Sequence, residues 1–393
     1  MFFSINTLDN DNRFPNNYIH NGFYISIDEG WKYKYLSDTV IFYKGYCDTD
    51  NLENIILEFL TDKTPRFSGN FCIIVVEPNS VTVTHDLNRS FPLFVYQKNT
   101  ITNLPYSNLE MQRVFGDRYL SLTRDLIVEH YFNWNLINVE STITLDTFLE
   151  KTINILKNKT TSLTDKNNIK IFLTGGVDTM LCYALLEKFL GDKNFELISY
   201  EHIDYDNFLY TNMSNINSSF WGYSQIHHWK EPTILASGAF GDEYFMRGPS
   251  TAALWAAWHN VDMLHLLETK ASGYHTDYFL RDKNKKIFRE YWNERYSIRE
   301  QYSSKSDLNE QILNMLNNDH QQWHLGNTLT WTPLKEPAIT KMILELPKND
   351  IIDQLLYAKL NFELISLLNR NLLNYISGCK NQNTFEKIKY FKK

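Results

Sequence analysis

The chain has 393 residues, of which 43% are hydrophobic and 22% charged, and its net charge is -7. This length predicts two domains or three, and the apolar fraction is large enough for each domain to bury a core. Aromatic residues make up 15%, which excludes a disordered chain. The negative net charge disfavours nucleic acid as a partner, because proteins that neutralise many phosphates are normally basic.

The four cysteines stand far apart in the sequence, at Cys47, Cys72, Cys182 and Cys379. No pair has the spacing of a zinc site, and sparse cysteines are typical of a reducing compartment. The first residues, Met1 to Asn6, lack a basic segment followed by an apolar run, and no apolar run is long enough to span a membrane. We therefore expect a soluble cytoplasmic protein with no membrane partner.

Residues 1–118 predict a β-rich first domain. Short apolar runs alternate with turn residues, and Pro78-Asn79 predicts the turn of a hairpin. Helical spacing of apolar residues predicts one helix within this domain. The predicted strands are 22–27, 38–43, 70–76 and 81–84, and the predicted helix is 51–60.

Residues 119–393 predict a second domain of the α/β class. Strand and helix patterns alternate there, which is typical of a parallel sheet, and the pattern after residue 250 predicts helices to the end. The predicted helices before that point are Leu122–Phe132, Thr144–Leu156 and Met180–Leu190, and the predicted strands are Ile169–Leu173, Phe195–Tyr200 and Thr233–Ala236.

A glycine-rich turn, Thr174-Gly175-Gly176-Val177-Asp178-Thr179, joins the first of these strands to its helix. Adjacent glycines let backbone amides face a ligand, and a helix N-terminus favours anions. A carboxylate beside a phosphate requires a cation between them, so Asp178 indicates Mg²⁺. An ordinary strand-to-helix turn capped by Asp or Thr is the structural alternative.

A second acidic turn, Ser237-Gly238-Ala239-Phe240-Gly241-Asp242-Glu243, follows the strand at Thr233–Ala236. Ligands of open α/β sheets gather at the carboxyl ends of the strands. We therefore expect Asp178 and Asp242 to converge on one metal ion from neighbouring strand ends, although Asp242-Glu243 could instead cap a helix.

These two turns resemble the signatures of the asparagine synthetase family, Ser-Gly-Gly-x-Asp-Ser and Ser-Gly-Glu-Gly-Ala-Asp-Glu. In the first domain, Gly69-Asn70-Phe71 and the segment from Asp86 to Pro92-Leu93-Phe94 are similar to that family's Gly-x-Phe and Asp…Pro-Leu-Tyr patterns. The four segments occur in the family's order, so the resemblance spans both predicted domains.

The resemblance implies an Ntn-hydrolase-like β-sandwich with helices, followed by a parallel-sheet ATP-pyrophosphatase domain of the adenine nucleotide alpha hydrolase type with a helical C-terminal part. That domain would adenylate a small-molecule carboxylate with ATP and Mg²⁺ and transfer the acyl group to ammonia or an amine. Asp178 and Asp242 would hold the metal ion. The nucleotide would lie against Leu173, Thr174, Gly175, Gly176, Thr179, Tyr200 and Gly238.

The sequence departs from the family at two catalytic positions. The glutaminase nucleophile is a cysteine at position 2, whereas this chain has Phe2, so we expect no glutamine hydrolysis. Members without that cysteine, such as the β-lactam synthetase branch, use another amine. The family's Glu or Tyr in the second signature is replaced by Ala239, which cannot accept a proton. Glu243, or His227 and His228, could supply the base.

The family also has a late lysine that stabilises the developing negative charge. Lys335, Lys341 and Lys359 are the candidates, and Lys359 fits the order of the motifs best. The sequence thus predicts an AMP-forming amide ligase that is a homo-oligomer or is fed by an ammonia-supplying partner. Two alternatives remain: another ATP-pyrophosphatase that modifies a nucleic-acid base, and a binding or regulatory protein on a decayed synthetase scaffold.

Overall fold

A computed structural model gives the structure of the chain. It describes residues 3–47, 52–62, 69–86, 93–96, 99–103, 111–113, 118–124, 126–131, 143–164, 168–173, 176–198, 233–247, 249–262, 265–266, 290, 312 and 328–376. These residues form a mixed α/β structure with two antiparallel sheets, one parallel sheet and helices.

The first unit consists of two six-stranded antiparallel sheets. Sheet A has the strand order β10-β8-β9-β1-β3-β2, and sheet B has the order β12-β11-β7-β6-β5-β4. The strands of sheet A are β1 (Phe3–Asn6), β2 (Asn16–His20), β3 (Phe23–Ile27), β8 (Phe94–Tyr96), β9 (Thr100–Thr102) and β10 (Met111–Arg113). Those of sheet B are β4 (Lys32–Leu36), β5 (Thr39–Cys47), β6 (Gly69–Val76), β7 (Ser80–His85), β11 (Arg118–Thr123) and β12 (Ile127–Tyr131).

The two sheets pack face to face around a shared apolar core. Alternate residues of sheet A, such as Phe3 and Ile25, meet alternate residues of sheet B, such as Phe42 and Ile74. Helix α1 (Leu52–Asp62) covers the outer face of sheet B through a second cluster that contains Ile55. Strand β6 is therefore buried on both faces, which explains its continuous apolar run.

The hairpin predicted at Pro78-Asn79 is present, with the Glu77 amide donating to the Ser80 carbonyl at 2.8 Å. The helix predicted over Leu122–Phe132 is wrong, because its first two residues end β11 and residues 127–131 form β12. The Thr123 amide donates to the Leu126 carbonyl at 2.9 Å and closes a turn. Strand pairing thus carries the first unit past residue 118, as far as Tyr131.

The second unit is built on a parallel sheet with the strand order β14-β13-β15-β16. Three of its strands match the prediction, but β16 lies in the region that the sequence predicted to be helical to the end. All four residues of β15 are buried, as expected for a central parallel strand. The strands are β13 (Ile169–Phe172), β14 (Glu196–Ile198), β15 (Thr233–Ala236) and β16 (Thr328–Trp331).

Helices surround this sheet and share one apolar core with it. The central helix, α3, packs against α2 and α8 and buries most of its residues. The helices of this unit are α2 (Leu145–Thr161), α3 (Val177–Phe189), α4 (Gly241–Tyr244), α5 (Pro249–Trp258), α6 (Pro337–Leu344), α7 (Lys348–Tyr357) and α8 (Lys359–Asn369). Within the described ranges no helix has the length and apolarity that a membrane span needs.

The two units meet where β6 approaches β16. The Thr330 carbonyl accepts hydrogen bonds from the Asn70 side-chain amide and from the Tyr46 hydroxyl. Beside it, Leu329 packs against the cores of both units. The edge strand of the parallel sheet is therefore held by the sandwich.

Candidate functional site

The first half of the candidate site is the N-terminus of α3, which follows the carboxyl end of β13. Gly176 is the N-cap residue and contributes no capping side chain. Asp178 lies in the first helical turn, where a carboxylate interacts favourably with the helix dipole. Thr174 and Gly175 of the same turn lie outside the described residues.

The second half is the segment that follows β15, and it is pressed against the first half. A Cβ atom on Gly238 would lie 2.5 Å from the Thr179 amide nitrogen, and one on Gly241 would lie 2.5 Å from the Asp178 Cγ. Any side chain at either position would collide with the start of α3. The two glycines of this turn are thus explained by the close approach of two strand ends.

The two carboxylates that the sequence singled out do lie together, and Arg247 joins them. Its Nη2 atom is 2.5 Å from Asp178 Oδ2 and 2.6 Å from Asp242 Oδ1. The Arg247 side chain is fully buried, whereas Asp178 is 16% and Asp242 42% exposed. The pair therefore faces solvent on one side and a buried cation on the other.

This arrangement does not fit a metal ion held between Asp178 and Asp242. Mg²⁺ binds carboxylate oxygens at about 2.0–2.1 Å, so an ion shared by both oxygens would need the position of the Arg247 nitrogen. Within the part of the chain that the structure describes, no group of three or more His, Cys, Asp or Glu residues could hold a metal ion. The convergence predicted from the sequence is present, but an arginine occupies its centre.

Asp178 is also held from the helical layer behind it. The Asn361 side-chain amide donates to Asp178 Oδ1 at 3.0 Å. Gln354 orients Asn361 by donating to its side-chain oxygen at 2.7 Å, and the Gln354 oxygen accepts from the Leu360 amide at 2.7 Å. Gln354 and Asn361 are both fully buried. This chain of hydrogen bonds fixes the carboxylate in one orientation.

Glu243 is the titratable group of the site whose pKa lies near neutrality. Burial raises its pKa to about 7, the charges of Asp242 and Asp178 act in the same direction, and Arg247 opposes them. A carboxylate with this pKa can accept a proton at neutral pH and remain a usable acid afterwards. Ala239, two residues before Gly241, brings no proton acceptor to the turn.

Of the three lysines named from the sequence, Lys335 is the one whose contacts reach the strand-end turn. It follows β16, is 1% exposed, and places its Nζ 4.9 Å from the centre of the Phe240 ring. Lys359 instead forms ion pairs with Asp350 at 2.7 Å and Asp353 at 3.7 Å on α7. Although burial acts to lower it, pairing with Asp350 raises the pKa of Lys359.

The structure describes some of the remaining predicted site residues but not all of them. Leu173 packs against the core of the second unit, and Thr179 is buried at the start of α3. Tyr200, like the alternative bases His227 and His228, lies outside the described residues. Lys341 is in the last turn of α6, where burial lowers its pKa.

Sequence reasoning missed Arg247 and Asn361. A signal for Arg247 was present, because it ends the apolar run Tyr244-Phe245-Met246 and is the only arginine of the sequence between Arg124 and Arg281. A cation in an apolar stretch this close to Asp242 is expected to pair with a carboxylate, because burying an unpaired charge is unfavourable. Asn361 had no comparable signal, because it lies 183 residues from its partner.

No protein-family model matches the chain, and no curated protein matches it. Two solved structures resemble parts of it at 6% sequence identity. One is a structure of the allosteric regulatory enzyme of purine biosynthesis, with a TM-score of 0.21 over 44% of this chain and 54% of the other. The second is glutamine phosphoribosylpyrophosphate amidotransferase from B. subtilis complexed with ADP and GMP, with a TM-score of 0.23 over 62% and 71%.

The chain thus spans about half the length of the first of these structures. Both TM-scores lie below 0.5, so neither likeness carries an argument about function.

Proposed function

We propose that this chain is an ATP-dependent, AMP-forming amide ligase without glutaminase activity. The observation that carries the proposal is the direct contact between two glycine-containing turns at adjacent carboxyl ends of a parallel sheet, with Asp178 at the contact. Ligands of open α/β sheets bind at this edge. Titratable and cationic groups from two neighbouring strand ends meet there, and Lys335, after the third, contacts Phe240 of the second turn, which supports chemistry on a charged small molecule.

The proposed reaction has two steps. An oxygen of the substrate carboxylate attacks the α-phosphorus of ATP, the bond to the bridging oxygen breaks, and pyrophosphate leaves. Ammonia or an amine then attacks the acyl carbon, and AMP leaves with the electron pair of the broken bond. ATP carries its Mg²⁺ on its own phosphates, so that metal belongs to the substrate.

The residues of the chain have separate roles in this proposal. The N-terminus of α3 faces the phosphates, and Arg247 offsets the negative charge of Asp178 and Asp242. Glu243 accepts the proton of the attacking nitrogen, which its pKa of about 7 allows at neutral pH. Lys335, rather than Lys359, is placed to interact with the developing negative charge, because it contacts the strand-end turn.

The test is AMP and pyrophosphate formation from ATP and Mg²⁺ with a pool of small carboxylates and amines. We expect Asp178→Asn to lower the rate about 10²- to 10³-fold, because the variant releases Arg247, a fixed positive charge of the site. Asp146→Asn is the matched control, because Asp146 is an exposed acid at the same position of the first turn of α2. Equal rates in the two variants would refute the assignment of this site.

One observation favours a second candidate, a binding or regulatory protein on the same scaffold. The buried Arg247 holds both acidic side chains that a metal-dependent synthetase would use for its ion. This candidate predicts that ATP with Mg²⁺ at millimolar concentration does not raise the melting temperature of the chain and that no AMP forms with any carboxylate. The ligase proposal predicts the opposite on both points, a higher melting temperature with ATP and formation of AMP.

A further inference from the structure

The second turn of the site is followed by a tight return of the chain that buries an arginine. The Arg247 amide donates to the Asp242 carbonyl at 2.5 Å, so its side chain turns back beneath its own acidic neighbour. The guanidinium is fully buried and contacts both oxygens of Asp178 at 2.5 Å. One nitrogen therefore lies within 2.6 Å of three carboxylate oxygens that belong to two strand ends.

The position of this nitrogen is the one that a bridging ion would need. Divalent ions of the Mg²⁺ class take carboxylate oxygens as ligands at about 2.0–2.6 Å, and they require several open coordination positions. Here the Asp178 carboxylate also accepts from Asn361 and lies against Gly241. An ion could enter between the carboxylates only if the guanidinium left.

The Arg247 guanidinium cannot lose its charge by deprotonation. Arginine stays protonated at every pH that the fold can experience, so pH does not remove it from the two carboxylates. Among the described residues, Glu243 also interacts with the pair, and it adds negative rather than positive charge when it ionises. The cation between Asp178 and Asp242 is thus permanent and belongs to the chain itself.

We infer that Arg247 is a built-in replacement for a divalent metal ion between Asp178 and Asp242. It keeps the two strand ends together by charge, as an ion would, and it excludes the ion from the same place. The inference goes beyond the ligase proposal and does not rest on it. It makes the free protein independent of divalent cations at this site, and it predicts that a neutral residue at position 247 opens a metal site.

The experiment is a titration of the metal-free full-length chain with Mn²⁺ alone, followed by the paramagnetic signal of free Mn²⁺. Mn²⁺ takes the same oxygen ligands as Mg²⁺. We expect no saturable site in the wild type that depends on Asp178. We expect Arg247→Met to bind about one Mn²⁺ per chain at least about 100-fold more tightly, because a full positive charge no longer opposes the ion at close range. Asp178→Asn in the Arg247→Met background should abolish that binding.

Two results would overturn the inference. One is a wild-type Mn²⁺ site that Asp178→Asn removes, and the other is a folded Arg247→Met chain that gains no site. Circular dichroism checks folding, and Arg247→Gln is the second neutral variant if Arg247→Met unfolds. If neither variant folds, the comparison of wild type with Asp178→Asn decides. The titration uses no ATP and no turnover, so its failure is separate from a failure to form AMP.

Discussion

Each unit of the protein holds a carboxylate beside a strand end, but the two carboxylates are held in different ways. Asp86 follows β7, is fully buried, and accepts a hydrogen bond at 3.1 Å from the Phe71 amide on the neighbouring strand of its own hairpin. Asp178 retains 16% exposure and is held by side chains that lie 69 and 183 residues away.

The difference separates a carboxylate that completes a hairpin from one that belongs to a site. A backbone amide close in the sequence donates to Asp86 and ties it to its own hairpin. Asp178 brings together β13, β15 and α8 through a charged residue and a buried amide, and one side of it remains open to solvent. Burial alone therefore does not mark a site, whereas distant ionic partners combined with residual access do.

The largest effect should come from removing Arg247, the cation that pairs with Asp178. We expect Arg247→Met to lower the free energy of unfolding by about 3–5 kcal/mol, because it leaves the charge of Asp178 uncompensated. Urea unfolding followed by circular dichroism measures this change. Arg370→Met is the control, since Arg370 is exposed, and it should lie within about 0.5 kcal/mol of the wild type. Equal midpoints for the two variants would contradict the buried ion pair.

The second effect concerns pH at the same site. Because the folded chain raises the pKa of Glu243 from 4.5 to about 7, its protonated form is favoured by folding. This contribution to stability is complete below pH 4.5 and is lost as the pH rises to about 7. We expect Glu243→Gln to be more stable than the wild type above pH 7 and similar to it below pH 4.5, as measured by thermal unfolding at several pH values.

The same group predicts the pH dependence of the proposed amide transfer. The rate should rise with pH through a midpoint near 7, where Glu243 loses its proton. Glu243→Gln should lower the rate at pH 8 about 100-fold and abolish this step of the profile. An unaltered profile in the variant would assign the base to another residue.

The third effect concerns Asp86, the carboxylate of the first unit. Asp86→Ala should lower the free energy of unfolding by about 2 kcal/mol, because the buried Phe71 amide loses a charged acceptor. We expect AMP formation per folded molecule to stay unchanged, which a rate measurement normalised to the folded fraction would show. A loss of activity as large as that of Asp178→Asn would make Asp86 a site residue as well.

The smallest effect belongs to Lys359. Its partners Asp350 and Asp353 lie on the adjacent helix, and part of each ion pair is exposed. Partly exposed pairs contribute about 0–1 kcal/mol, so Lys359→Met should change the unfolding midpoint very little. We expect its rate of AMP formation to equal that of the wild type. Lys335→Met, measured beside it, should be the slower of the two, and the reverse order would restore Lys359 to the site.

The parts of the fold with local signals could be predicted from the sequence. The apolar run of β13, the glycine-rich turn and the helical spacing of α3 are neighbours in the chain, and so are the strands that flank Pro78-Asn79. Strand β16 is only four residues long and lies in a region of helical patterns, although Gly326-Asn327 precede it and Pro333 follows it. The helix expected at Leu122–Phe132 failed because Leu122 and Leu126 have helical spacing, whereas the turn between them makes a hairpin.

The candidate site was predictable to the same extent. Glycines and acids beside strand ends indicated that Asp178 and Asp242 converge, because parallel strands end at a common edge. The choice of cation was not predictable in this way. Whether a metal ion or Arg247 neutralises the pair depends on how tightly the chain turns after Tyr244, and this turn is set by packing against the rest of the core.

The shared Thr330 carbonyl has a consequence for how the molecule unfolds. Its two donors, Tyr46 and Asn70, are residues of the sandwich, and Lys335 lies only five positions further along the chain. A chain cut down to the parallel-sheet unit would lose both protein donors to this carbonyl and leave Leu329 uncovered on one side. We therefore expect the edge of the site to lose its support as soon as either unit opens.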